Sequence, residues 1–141
     1  YMACLNLCES PIEQVMLAGL AFMVVPGSDC FPPAIHDVQS GDPWPNKPVV
    51  IAPQFNIARY RLDFLVQVKT DTGIVKIAVE CDGRQHHTEI KDKIRDFDRD
   101  DYLEALGIKT IRYTGSWIYK NSHAVADEIA VIVSESRRAA A

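Results

Sequence analysis

Long apolar runs and an excess of positive charge are both missing from this 141-residue chain. No apolar stretch reaches the roughly 18 residues that a membrane-spanning helix needs, so we expect no membrane partner. The first residues lack a basic region followed by an apolar block, and we therefore expect no signal peptide and a cytoplasmic, prokaryotic or phage-type protein. The net charge of −4 gives no whole-molecule sign of a nucleic-acid partner, although a metal-dependent site is itself acidic.

Cysteine is also scarce, and its four copies form no CxxC pair. Cys4 and Cys8, together with Cys30 or His36, would supply one zinc-ligand set. The alternative, which we favour, is that the thiols are reduced and mostly buried in a cytoplasmic protein.

The composition that remains fits a single globular domain with a core. Hydrophobic residues make up 48% of the chain and charged residues 24%, the usual balance for a globular protein. We assign residues 1–138 to one domain and 139–141, three alanines, to a vector-derived tail. Seven of the eight prolines lie within 26–53, which predicts a long irregular insertion loop. The start at Tyr1 instead of Met is consistent with a fragment of a longer protein.

Capping signals and hydrophobic periodicity predict the element order α-(β)-loop-β-β-α-β-α. Ser10 as N-cap, Pro11 in the first turn and Glu13 in a capping box start the first helix. A short strand is expected over 21–25. The stretch "TDTG" is a turn, which makes "QFNIARYRLDFLVQV" and "IVKIAVEC" the two arms of a hairpin.

The second half of the chain predicts a helix over 89–106, a strand over 108–113 and an amphipathic helix over 122–136. Gly107 ends the first of these helices. One side of that helix carries a polar stripe, formed by Asp92, Asp96, Arg99 and Asp100. The same side continues toward the C-terminus with Leu103 and Leu106, which are expected to face the core. Charges in this position either have an internal partner or form a solvated face with pairs such as Asp96 with Arg99.

Alternation along the hairpin brings acidic side chains onto a largely apolar face. In the first arm Leu62 shares a face with Phe64, Val66 and Val68, so Asp63 faces the other way. In the second arm Glu80 and Asp82 share one face. Buried acids cost free energy unless they are paired or bind a cation.

Two interpretations of these acids remain open from the residues alone. Carboxylates that converge from adjacent strands can hold a hard divalent cation such as Mg²⁺, which would polarise a phosphate. Alternatively, Asp63 and Glu80 pair with nearby arginines, namely Arg59, Arg61 or Arg84. His86 and His87 follow directly; each is either a polar loop residue or a general base.

Taken together, four segments resemble a known family. They are "SPIE", "PQFNIARYRLDF", "VECDGRQH" and "DFDRDDYLEALGIKTIRY". They resemble the small PD-(D/E)XK nuclease-like domains related to the very-short-patch repair endonuclease, over roughly 10–113 without the proline-rich loop. The resemblance implies an α/β fold with a restriction-endonuclease-like core, in which helices flank a mixed central sheet in the order α-β-β-β-α-β-α. It also implies DNA as substrate and Mg²⁺, or Mn²⁺, as cofactor.

The resemblance further implies roles for individual residues. Asp63 and Glu80 match the two metal-binding acids, and we expect the backbone carbonyl of Cys81 as a further ligand. Asp82 stands where the common motif has lysine, and His86 matches a histidine that follows "DG". The other expected site residues are Glu13 of the first helix and the substrate-binding residues Gln54, Arg61, Arg84 and Arg99.

Because the motif lysine is missing, three hypotheses for the function remain open. The first is a metal-dependent endonuclease of repair, restriction or mobile-element type, in which His86 or a second metal replaces the lost charge. The second is a catalytically inactive nuclease fold that binds DNA or a protein partner. A structural α/β protein with all acids salt-bridged is the third hypothesis. A homodimer or a fused or separate specificity domain is a further expected partner.

Overall fold

The computed structural model describes residues 2–26, 32–82 and 90–139, and within these ranges four helices surround one five-stranded sheet. The strands are β1 (Ala34–Ile35), β2 (Val49–Ile57), β3 (Tyr60–Thr70), β4 (Gly73–Asp82) and β5 (Ile108–Thr114). The helices are α1 (Met2–Leu5), α2 (Pro11–Ala21), α3 (Ile90–Ala105) and α4 (Gly115–Ala139). None of these helices is long and apolar enough to cross a membrane.

The sheet is mixed, as predicted, with strand order β1-β2-β3-β4-β5. The three central strands pair antiparallel, whereas β1 is parallel to β2 and β5 is parallel to β4. Parallel neighbours need a crossover connection, and α3 supplies it between β4 and β5. The predicted hairpin is confirmed, because Thr70 pairs with Gly73 across the turn at "TDTG".

The two faces of the sheet bury different side chains, because residues along a strand alternate between faces. One face packs against α2 and α4 in a large cluster that includes Phe64, Val66 and Ile77. On the other face Leu65 and Ala78 form a smaller cluster with Leu103 and Ile108. The helix α3 therefore covers the face opposite to α2 and α4.

The first turn of α2 is fixed by its N-cap and by a contact with the sheet. Ser10 Oγ accepts a hydrogen bond from the backbone N–H of Glu13 at 3.3 Å, and Pro11 occupies the first turn. The Glu13 carboxylate turns inward, where it accepts a hydrogen bond from Gln54 Nε2 at 2.6 Å. The predicted N-cap is therefore confirmed, while the second half of the capping box is replaced by a contact with β2.

The structure corrects three predictions in the first half of the chain. Residues 22–25 follow α2 as turn and coil, so the strand predicted over 21–25 is wrong. The 26–53 segment is not wholly irregular, because it contains β1 and the first residues of β2. The run "QFNIARYRLDFLVQV" is not one strand. It turns at Ala58, whose φ is 52°, and the alternating pattern continues through that turn and conceals it.

Two further corrections concern the helices after the hairpin. The helix α3 and its end at Gly107 (φ 77°) agree with the prediction. Leu103 is fully buried, but Leu106 is 51% exposed, because it lies beyond the last helical turn. The last helix starts at Gly115 instead of 122, and Asn121, with φ −134° and ψ 35°, interrupts its helical geometry.

Two glycines give a matched test of this backbone. Gly107→Ala is expected to lower the free energy of unfolding by about 1 kcal/mol, because an L-residue is strained at a φ of 77°. Gly19→Ala is expected to raise it by up to about 1 kcal/mol, because alanine favours helix. Its Cβ would meet Ser122 O at 3.5 Å and Ala126 Cβ at 3.6 Å, which is ordinary contact. Urea denaturation measures the free energy of unfolding of both variants. Equal stabilities of the two variants would contradict the left-handed conformation assigned to Gly107.

Candidate active site

The candidate site forms where the β3–β4 ladder ends. The last described pair of that ladder is Phe64 with Val79, so Asp63 and Glu80 come next on the two strands. Each carboxylate then accepts a hydrogen bond from the backbone of the other strand. Asp63 Oδ2 lies 2.7 Å from the amide nitrogen of Cys81, and Glu80 Oε2 lies 3.4 Å from that of Asp63. The hairpin thus brings the two predicted metal-binding acids together.

The backbone beside Asp63 departs from regular strand geometry. Strands β2 and β3 pair on both sides of Gln54 and Asp63, but these two residues are absent from the described register. Gln54 has a φ of 53°, a left-handed conformation that costs about 1–3 kcal/mol for a residue other than glycine. Leu62 then packs in the smaller cluster with Leu65, so the prediction that it shares a face with Phe64 is wrong.

Burial makes both carboxylates difficult to ionise. Burial and, after it, the charge of Glu80 raise the pKa of Asp63 from 3.8 to about 8, although the hydrogen bond from the Cys81 N–H opposes the change. Burial also raises the pKa of Glu80, with Arg99 as the main opposing charge. Two acids in this environment repel each other unless a cation or a proton lies between them.

Arg99 of α3 approaches the acids from the side of the smaller cluster. Its Nη1 lies 3.5 Å from Glu80 Oε1, an ion pair that is too long for a good hydrogen bond. Within the described ranges, Glu80 Oε1 and Arg99 Nε are both buried without a hydrogen-bond partner. Of the two alternatives for the α3 stripe, an internal partner therefore holds for Arg99, but the contact leaves hydrogen-bonding capacity on both residues.

Glu13 of α2 and Gln54 of β2 contact each other near the Asp63–Glu80 pair. Both are buried, and the Gln54 amide donates to Glu13 as described above. Gln54 Oε1 has no hydrogen-bond partner among the residues that the structure describes. The negative charge of Glu13 contributes to the raised pKa of Asp63, so the two lie within electrostatic range. Gln54 supports Glu13, and its predicted contact with substrate stays a prediction.

These features fit a hard divalent cation between Asp63 and Glu80. Carboxylate and carbonyl oxygens are the ligands that Mg²⁺ and Mn²⁺ prefer. Glu80 Oε1 is a buried oxygen with unused acceptor capacity. No group of three or more His, Cys, Asp or Glu side chains in residues 2–26, 32–82 and 90–139 is arranged as a metal site. A cation here would thus need further oxygens from backbone, water or substrate, as is common for Mg²⁺.

The remaining predicted site residues are in different situations. Asp82 is half-buried at the end of β4, in register with Thr114 of β5. Arg61 is exposed and pairs with Glu9 instead of an acid of the site. Arg84 and His86 lie outside the described residues, and their roles stay predictions.

The zinc alternative receives no support from the cysteines that are described. Cys4 and Cys8 are free and buried. Burial raises the pKa of Cys8 to about 12, with a further contribution from Glu13. A zinc ligand must be a thiolate, which this environment disfavours. Cys30 lies outside the described residues.

Arg112 is a neighbour of the site that the sequence analysis missed. It lies in register with Glu80 across the parallel β4–β5 pair. Its guanidinium makes two hydrogen bonds to Asp100, at 2.7 and 2.6 Å, which fix α3 against the sheet. Its positive charge also lowers the pKa of Glu80. The period-2 pattern of "IKTIRY" places Arg112 on the same face as Thr110, and this was the available signal.

The comparisons with known proteins give one finding beyond this geometry. Neither the curated proteins nor the solved structures include a match to the chain. The family model REase_MTES_1575, which describes a restriction endonuclease-like family, matches residues 46–132. The match covers more than half of the chain and includes Asp63, Glu80 and Arg99. The five-stranded mixed sheet with flanking helices is consistent with the fold of that family. The chain belongs to the restriction endonuclease-like family REase_MTES_1575.

Proposed function

We propose that the chain is an endonuclease that hydrolyses DNA phosphodiester bonds with a divalent cation, Mg²⁺ or Mn²⁺. The observation that carries this proposal is the pairing of half-buried Asp63 with buried Glu80 at the end of the β3–β4 ladder. In a restriction endonuclease-like chain, two acids that are costly without a cation are best explained by a cation that arrives with the substrate.

Each residue has a proposed role in the hydrolysis. Asp63, Glu80 and the backbone carbonyl of Cys81 would hold the cation, which supplies Lewis-acid polarisation of a phosphate oxygen when bound. Asp82 or His86 would take a proton from the attacking water as the water oxygen bonds to phosphorus. The bond from phosphorus to the leaving oxygen breaks, and that oxygen takes a proton from solvent water. Glu13, which accepts a hydrogen bond from Gln54, would help to position the cation.

The position of Arg99 bears on the missing lysine. The motif lysine would place a positive charge beside the reacting phosphate, and Asp82 cannot do so. The Arg99 guanidinium lies 3.5 Å from Glu80. We propose that Arg99 releases Glu80 when the cation binds and donates to a phosphate oxygen instead.

Membership of the very-short-patch repair-like branch is a finer proposal that rests on the four quoted segments.

One observation favours the second candidate function, a catalytically inactive fold that binds DNA or a protein. Arg99 already places a positive charge beside Glu80, and a permanent ion pair would leave no need for a metal. The distance of 3.5 Å and the unpartnered buried atoms of both residues, as far as the described ranges show, argue for a weak contact that a cation can replace.

The stability of the metal-free protein tests the cost of the acid pair. In EDTA at a pH above the Asp63 pKa of about 8, Asp63→Asn is expected to raise the free energy of unfolding by about 1–2 kcal/mol, because it removes one of two adjacent negative charges and keeps an acceptor for the Cys81 N–H. Mg²⁺ is expected to stabilise the wild type and not this variant. Thermal unfolding with and without Mg²⁺ measures both effects. The matched control is Asp71→Asn in the exposed β3–β4 turn. Equal Mg²⁺ stabilisation of wild type and Asp63→Asn would contradict the metal site.

Plasmid cleavage tests the activity itself. Wild-type protein with Mg²⁺ or Mn²⁺ is expected to nick or cut DNA, and Asp63→Asn and Glu80→Gln are each expected to lower the rate by more than about 100-fold. Asp71→Asn should cut at the wild-type rate. If the wild type cuts no duplex, single-stranded or mismatched DNA with either metal, the endonuclease proposal is wrong.

A further inference from the structure

A groove on the face of α3 borders the acid pair and carries a charge opposite to that of the whole chain. It lies between the β2–β3 turn and the first part of α3, is lined by residues within 59–61 and 91–99, and has a volume of about 490 Å³. We call it the α3 groove. Five of its lining side chains are cationic: Arg59, Arg61, Lys91, Arg95 and Arg99.

The charge balance of the α3 groove favours an anionic ligand. Among the residues that the structure describes, its acidic lining residues are Asp96 and Asp98, so the five cations exceed these acids by three, whereas the chain as a whole carries −4. Arg61 pairs with Glu9 at the surface, and Arg95 lies 3.9 Å from Asp92. Exposed pairs of this kind contribute little and exchange readily for a phosphate.

The walls of the α3 groove are held in place by aromatic contacts. Arg59 Nη2 donates to the Tyr60 hydroxyl at 2.9 Å, and its guanidinium lies 5.1 Å from the centre of the Tyr60 ring. The Tyr60 ring in turn lies 5.4 Å from the ring of Tyr102 on α3. These contacts connect the β2–β3 turn to α3, so the Arg59 guanidinium is oriented before any ligand binds. A guanidinium fixed in this way loses less conformational entropy when it binds a phosphate.

Arg99 connects the groove to the acid pair. It lines the α3 groove and also lies 3.5 Å from Glu80. The α3 groove and the acid pair are therefore neighbours that share Arg99.

We propose that the α3 groove binds the sugar–phosphate backbone of one DNA strand beside the bond to be cut, with Arg59 and Arg95 contacting its phosphates. This inference rests on the proposed function for its substrate, but it concerns binding and not the chemical step. Because the contacts are to one backbone, duplex and single-stranded DNA of the same sequence should both use the groove.

The test compares two double variants of the full chain. Arg59→Gln with Arg95→Gln removes two charges from the groove. Lys47→Gln with Lys120→Gln removes two charges elsewhere. Lys47 precedes β2 at the far end of the hairpin, and Lys120 lies on α4 on the other side of the sheet. Fluorescence anisotropy of labelled duplex and single-stranded oligonucleotides over a range of NaCl, with Ca²⁺ in place of Mg²⁺, gives the affinities.

The groove variant is expected to bind about tenfold more weakly at low salt and to lose about 2 from the slope of log K against log[salt], since each phosphate contact contributes about 0.9. The control should stay within about twofold of the wild type. Equal losses in both variants, or no loss in the groove variant with either DNA, would overturn the proposal.

The two proposals can fail separately. If Asp63→Asn abolishes cleavage while the groove variant binds DNA like the control, the groove inference fails and the nuclease stands. If no form of the protein cuts DNA while only the groove variant loses affinity, the groove stands and the nuclease proposal fails. Thermal unfolding of the exposed Arg59 and Arg95 variants should match the wild type, which shows that a loss of binding is not a loss of fold.

Discussion

Two carboxylates, one buried and one half-buried, at the end of the β3–β4 ladder are the constraint on which the candidate site depends. Asp63 and Glu80 each accept a hydrogen bond from the opposite backbone, so they substitute for ladder hydrogen bonds just where the β3–β4 pairing ends. Their backbone donors are neutral and cannot cancel two charges, and Arg99 approaches only one of them. The sheet can therefore hold the acids in place, but a cation or a proton must complete the charge balance.

The surrounding elements stabilise an arrangement that is locally unfavourable. Gln54 adopts a left-handed backbone conformation in the middle of β2, and its amide supports the buried Glu13. On the other face, the two hydrogen bonds from Arg112 to Asp100 fix α3 so that Arg99 can reach Glu80. Strain and buried charge concentrate at this one end of the hairpin, whereas the two apolar clusters on either side of the sheet supply the stability of the fold.

Most of the fold followed from local signals in the sequence, and the failures share a physical cause. The α2 cap, the "TDTG" turn and the stop at Gly107 depend on nearby residues and were predicted correctly. The turn at Ala58 has no glycine or proline to mark it, and the break in alternation at Asp63 follows from pairing with β2 and β4. The meeting of Asp63 with Glu80 needed only the hairpin register. The contacts of Arg99 and Arg112 needed the position of α3 on the sheet, which no local pattern encodes.

Net charge was a poor guide to partners, because a nucleic acid responds to the local field and not to the average. Charges farther apart than about 10 Å are largely screened at moderate ionic strength, so the local charge of the α3 groove, and not the net charge of the chain, acts on a nearby polyanion. The grouping of cationic and acidic side chains into two neighbouring regions also has a chemical consequence. Acids that attract a divalent cation would repel a phosphate on their own, and cations of the groove would attract it. Placing the arginines beside the acids, with Arg99 at their border, lets one surface bind both a metal ion and a polyanion.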